Sequence, residues 1–155
     1  MNLIAAKNLA IDLMKQHINT PYAWHFQFDN AKARFGCCSH QKRTIYLSRF
    51  CTMNRTEDEV KNTILHEIAH VIAGPRESHG YLWRVAAKQV GINNPSRLGK
   101  VSDNLQQAIQ QDANYAIECP NCGPLGHANR MGKTMRYGSY TCQKCGTKGL
   151  TWKRN

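Results

Sequence analysis

Acidic side chains are scarce in this sequence: ten Asp and Glu stand against 21 Lys and Arg, leaving a formal charge of +11 over 155 residues. An excess of one sign on this scale points to a polyanionic partner, and it bears on association rather than on fold. Long apolar runs are missing too. The N-terminus, MNLIAAKNLAIDLMKQH, offers an uninterrupted apolar run of only four residues before Lys7. That is too short for the core of a secretory signal, and no later stretch approaches a membrane span. The expectation is a cytoplasmic monomer with no membrane partner. No internal repeat is present, which excludes solenoids and propellers. The length leaves no room for two ordinary domains, so one modest core with a small satellite is expected.

An even set of cysteines is also missing. There are seven, and four of them form two C-x-x-C pairs near the end; without an export signal this reads as metal ligation before disulfides. Cys37, Cys38 and Cys51 are left over, and they read as small buried or half-buried thiols.

Apolar residues Leu3, Ile4, Leu9, Leu13 and Met14 recur with helical spacing. In "YAWHFQFD", Trp24, Phe26 and Phe28 alternate, as in a strand with one face in the core. "ARFGCCSHQKRTIYLS" has a turn-like middle, Ser39 to Arg43, between two strands, the second with Ile45 and Leu47 on one face; a hairpin is the simplest arrangement. Asn54 or Thr56 can cap the next helix, Glu59 completing a capping box with Thr56, and Glu57, Asp58 and Glu59 suit the positive end of a helix that runs on to Gly74-Pro75. A further helix is expected from Gly80 to Gln89, with Trp83, Val85, Ala86 and Val90 supplying apolar contacts and Gly91 as its stop. The expected organisation is a main domain over residues 1–91, a polar connector over 92–114 with one short helix around Asp103 to Ala113, and a terminal module over 115–155.

The chemistry concentrates in "NTILHEIAHVIAGPRESHGYLW", residues 62–83. His66 and His70 are four residues apart, so on a helix both imidazoles leave one face and can grip a single Zn²⁺. Glu67 lies beside them without being a ligand. There it can take a proton from an attacking water acidified by the metal and pass it to a leaving amine. The competing interpretation is a core helix with two hydrogen-bonded histidines, since Ile64, Leu65, Ile68, Ala69, Val71 and Ile72 surround them. Burying them is costly unless they are bonded or metal-bound.

A catalytic zinc needs a third protein ligand and an open fourth position. The metzincin spacing would place Gly at 73 and His at 76, where this chain has Ala73 and Arg76, and the helix after Gly80 has no acidic residue to serve as a thermolysin-like ligand. His79, beyond the Gly74-Pro75 break, is the preferred third ligand; Glu77 is the alternative.

Cys119-Pro-Asn-Cys122 and Cys142-Gln-Lys-Cys145 are separated by 19 residues, with Gly123 and Gly146 after them. Two knuckles at this spacing place four thiolates around one structural zinc, with no position free for substrate. "YAIE", "GSYTC" and "LTWK" are the strand-like pieces of such a ribbon. Its core is so small that metal binding supplies most of its folding free energy. Residues 119–155 hold seven Lys or Arg and no acid, with Tyr137, Tyr140 and Trp152 interleaved, a composition suited to phosphates and stacked bases. His127 reads as a surface residue. Residues 1–50 carry seven basic and two acidic side chains, and residues 51–91 balance at five and five. The surplus charge therefore sits away from the HExxH helix.

"TILHEIAHVIAG" followed by "SHGYLW" resembles the SprT/Spartan family of zinc metallopeptidases, and "FQFDNAKARFGCCSHQKRTIYLS" resembles the strand-hairpin entry to that domain. The resemblance implies an α+β fold: a zincin-like core of helices on a small antiparallel sheet, followed by a zinc ribbon. It also implies His66, His70 and His79 as zinc ligands, Glu67 as the catalytic residue, and Cys119, Cys122, Cys142 and Cys145 around a second zinc. The long tails of larger members are missing, so the chain is more like compact bacterial and bacteriophage SprT-like proteins, at work on the nucleoid or in an infected host. The implied activity is zinc-dependent endopeptidase action on DNA-associated proteins, extending to DNA-protein crosslink repair. The competing functions are a nucleic-acid-binding adapter with a non-catalytic core, and a protease for free regulatory proteins. Tyr81, His25 and Tyr46 are the nearby side chains considered for the oxyanion.

Overall fold

In this computed structural model, residues 1–93, 101–130 and 140–154 are described. Part of the expected connector, Tyr137, and the first residues of "GSYTC" lie outside them. The chain forms two compact units, Met1–Ser102 and Asp103–Asn155.

The first unit begins with α1 (Leu3–His17), whose N-cap Asn2 accepts from the backbone N–H groups of Ile4 and Ala5. Three strands follow: β1 (His25–Asp29), β2 (Gly36–Ser39) and β3 (Thr44–Ser48). The sheet order is β1-β3-β2. β2 and β3 form the expected antiparallel hairpin, closed at residues 40–43. β1 instead joins the far side of β3 in parallel, Phe26 opposite Ile45 and Phe28 opposite Leu47. The antiparallel expectation thus describes one of the two pairings. Placing β3 in the middle buries Ile45 and Leu47 almost completely and leaves β1 and β2 as edges.

A short helix that the spacing does not announce, α2 (Arg49–Met53), starts where the Ser48 hydroxyl accepts from the Cys51 N–H. Five residues are too few to show a helical period.

α3 (Glu57–Ala73) carries the capping box intact, with Thr56 and Glu59 bonded in both directions. A cap of this kind contributes about 1 kcal/mol. Val60, Ile64 and Ile68 recur every four residues and, with Ala69, point into the core, none more than 2% exposed. Truncating Ile64 or Ile68 to Ala costs about 2–5 kcal/mol, a large part of a small domain's stability. The helix ends at Gly74, whose φ of +93° a side chain would strain.

α4 (Tyr81–Gln89) buries Trp83, Ala86 and Ala87, followed by Val90. Val85, expected among its apolar contacts, is instead 47% exposed on the outer face with Tyr81 and Leu82. The buried stripe runs 83-86-87-90, and residue 85 falls off it by helical geometry.

The second unit opens with α5 (Asp103–Asp112), anchored by the fully buried Leu105. β4 (Tyr115–Cys119) and β6 (Thr151–Arg154) coincide with two of the expected strand pieces. Between them in the chain lies β5 (Gly123–Ala128), and the sheet order is β5-β4-β6. β5 is hidden in the sequence because "GPLGHA" is poor in strand-forming residues. Among the described residues no helix is long and apolar enough to cross a membrane.

Candidate active site

Three imidazoles converge between α3 and the turn before α4. His66 and His70 come from one face of α3, and His79 arrives from the 74–80 turn. Two nitrogens held about 2.0–2.1 Å from one tetrahedral ion stand about 3.3 Å apart. Nε2 of His79 lies 3.0 Å from Nε2 of His66 and 3.2 Å from Nε2 of His70. The donor set and its spacing therefore fit a small divalent ion such as zinc.

The supports around these rings fix their orientation. The His70 ring donates to the main-chain carbonyl of Glu77, and the Ser78 hydroxyl lies 3.4 Å from Nδ1 of His79. Partners of this kind set which ring nitrogen is left free for a metal. Trp83, 1% exposed, forms a floor with ring centroids 4.6, 4.7 and 5.5 Å from His79, His66 and His70. His40, at the β2–β3 turn, places Nε2 3.0 Å from the His70 carbonyl and packs edge-on against Trp24.

Burial lowers His66 to about 4, helped by His70 and His79. It does the same to His70, also to about 4, with His79 and His40 adding to it against the Glu77 carbonyl. Both rings are thus neutral at pH 7, the form that ligates.

Glu67 is 7% exposed and sits under β2. Burial pushes its carboxyl up to about 7, against the Arg34 guanidinium and the Cys38 backbone N–H, which favour the charged form. The strand can approach this closely because residue 36 is glycine: a Cβ there would stand 2.8 Å from Glu67 Oε1 and 3.1 Å from Thr63 Cγ2. A carboxylate so placed is a competent proton acceptor near neutral pH.

Glu77, the alternative third ligand, does not join the cluster. Its carboxylate turns to the start of α4, where a Cβ on Gly80 would collide with Oε1. A negative group there suits the positive end of the helix. Of the side chains considered for the oxyanion, His25 and Tyr46 alternate with the core-facing Phe26 and Ile45 and so face away from α3. Tyr81 is 78% exposed at the start of α4. Arg34 and His40 were not recognisable as site residues: Arg34, bonded to Asp29, acts on Glu67 through its charge from a loop 33 positions earlier in the chain, and His40 reaches His70 from 30 positions earlier.

In the second unit Cys119, Cys122, Cys142 and Cys145 converge. Thiolates about 2.3 Å from a shared tetrahedral zinc stand about 3.8 Å apart; here Cys119 and Cys145 are 3.6 Å apart and Cys142 and Cys122 are 4.0 Å apart. Gly123 and Gly146 take φ of +74° and +75°, the left-handed turn that each knuckle requires.

The SprT-like family matches residues 8–108. No curated protein matches the chain. Among solved structures, the metallopeptidase zymogen of Methanocaldococcus jannaschii jannalysin is similar at 18% identity and a TM-score of 0.47, over 54% of this chain and 79% of that one.

Proposed function

The chain belongs to the SprT-like family, and from that premise we propose that it is a zinc-dependent endopeptidase acting on proteins held on DNA, including proteins crosslinked to it. The observation that carries the peptidase reading is the convergence of three imidazole nitrogens beside one buried carboxylate. His66, His70 and His79 would hold the catalytic zinc, and the four cysteines a structural one. When bound, zinc supplies a Lewis acid that acidifies water and polarises a peptide carbonyl. Glu67 accepts the proton of the attacking water and delivers it to the leaving nitrogen. The DNA reading rests on the surplus of positive charge outside residues 51–91.

The test is metal removal. Freshly purified, reductant-protected protein should contain two zinc ions per chain and cleave an unfolded protein substrate. A mild chelator should empty the histidine site first, because the thiolate zinc is tied to folding of its unit. Activity should fall with that first zinc and return on adding zinc back. His79→Ala should lose the same zinc while Glu77→Ala keeps it. One zinc or none, or zinc lost from Glu77→Ala and kept by His79→Ala, contradicts the assignment.

Gly36→Ala probes the fit of β2 over Glu67. The new methyl must displace the carboxylate or the strand, and a misplacement of about 1 Å lowers turnover by about 10²-fold. Zinc content should remain at the wild-type level. Wild-type turnover in a folded Gly36→Ala protein would show that Glu67 does not depend on this contact.

A further inference from the structure

The opposite edge of the first sheet carries a feature that peptide hydrolysis does not use. Tyr22, Trp24, Phe26 and Phe28 occupy alternate positions leading into and along β1, Phe26 and Phe28 meeting edge-on with ring centroids 5.0 Å apart. Tyr22 is 61% exposed and the other three are half-buried. Between them and α1 runs an open trough of about 280 Å³, lined by Ile11, Met14 and Lys15 on the helix side. It meets a second trough, of about 320 Å³, at Phe26, where Lys7 and Arg49 form the wall. Each volume is at or below the lower end of enclosed small-molecule pockets, so flat rings laid along the strand suit the space better than one engulfed ligand.

The cations are placed along the same line. The Arg43 guanidinium lies 4.6 Å from the Tyr22 ring and that of Arg49 lies 5.4 Å from the Phe28 ring. Lys7 and Lys15 are eight residues apart on α1, about two turns, and overhang the troughs. Among the described residues no carboxylate pairs with any of these four. Asp29, at the end of β1, is held by Arg34 at 2.6 Å. Asp12, the one acid of α1, lies about a quarter-turn from the Lys7-Ile11-Lys15 stripe.

We infer that this edge is a binding site for single-stranded nucleic acid, with a base stacking on the exposed Tyr22 ring and its neighbour entering the trough lined by Trp24 and Phe26, and phosphates held by Lys7, Lys15, Arg43 and Arg49. An exposed aromatic ring beside an aromatic-lined trough offers stacking surface to unstacked bases, and a cationic border distinguishes a phosphate chain from an apolar peptide. β1 and β2 are opposite edges of the sheet, so a strand bound here leaves the Glu67 edge free.

The inference shares with the proposed function only the expectation of a nucleic-acid partner. The test uses the full chain and a fluorescein-labelled oligothymidine of about 12 nucleotides, within the span of known single-strand sites. A 5-iodouracil version is photocrosslinked and mapped by mass spectrometry. Crosslinks are expected at Tyr22 or Trp24. Tyr22→Ala should weaken binding about tenfold, and Tyr22→Phe should restore it, since stacking survives loss of the hydroxyl. The Lys7→Gln/Lys15→Gln pair should reduce the slope of log affinity against log salt by about 1.4. The exposure of Tyr22 makes its replacement safe for folding, which circular dichroism checks. Crosslinks confined to residues 103–155 with unchanged affinity in these variants would overturn the site and leave nucleic-acid binding standing. An apolar peptide crosslinking at Tyr22 where the oligonucleotide does not would overturn it in favour of protein docking. No oligonucleotide binding by the intact chain would overturn both this site and the DNA reading, without touching the peptidase assignment.

Discussion

Glu67→Gln is expected to lower peptide-bond hydrolysis by about 10²- to 10⁴-fold, the range for loss of a positioned general base. The replacement is nearly isosteric and its amide oxygen can still accept the Cys38 N–H, so the close packing under Gly36 persists. What disappears is the ability to take a proton. Because the carboxylate is buried and burial already raises its pKa, the neutral amide removes a desolvation cost rather than adding one. The variant should therefore keep both zinc ions and melt at or above the wild-type temperature. Turnover, elemental analysis and thermal melting on one preparation separate the outcomes. Turnover within a few-fold of wild type would remove Glu67 from its role; loss of zinc together with turnover would make it a ligand or a structural residue.

The parts of the site that can be read from the chain are those whose geometry is local. HExxH needs only a helix to bring His66 and His70 onto one face with Glu67 between them, and the Thr56–Glu59 box and Gly74 mark where that helix begins and ends. The two C-x-x-C knuckles are local for the same reason. The third histidine is less so, because spacing alone leaves Glu77 open; the choice depends on how the 74–80 turn closes, and Gly80 leaves the space into which the Glu77 carboxylate turns. Long-range approaches cannot be read in this way. The parallel partnership of β1 with β3, the contact of Gly36 with Glu67, and the bond from the His40 ring to the His70 carbonyl each join distant segments through packing. β5 escapes for another reason: its glycines and proline conceal a strand that owes its place to pairing with β4.

DNA is expected to accelerate cleavage of a basic, DNA-binding substrate protein by about 10²-fold or more, with little effect on a short peptide that does not bind DNA. Binding both proteins to one polymer replaces a bimolecular encounter at micromolar concentration with an effective concentration set by their spacing, and linked binding of this kind raises avidity by about 10²–10⁴ without new contacts. The charge distribution suits that division of labour. Residues 51–91, which carry the histidines and Glu67, have five basic and five acidic side chains, whereas residues 1–50 have seven against two and residues 119–155 have seven against none. The acceleration should shrink steeply with salt, because phosphate contacts are driven by released counterions and log affinity falls by about 0.7–0.9 per phosphate neutralised for each decade of salt. Deleting residues 115–155 should remove much of the acceleration while sparing peptide cleavage, since the helices and sheet that hold His66, Glu67, His70 and His79 all lie within Met1–Ser102. Equal rates with and without DNA would favour a protease for free proteins. DNA binding with a filled histidine site and no cleavage of any substrate would favour an adapter, and the retained Glu67 would then need another explanation, because a buried carboxylate at that position is costly to a helix that serves only as packing.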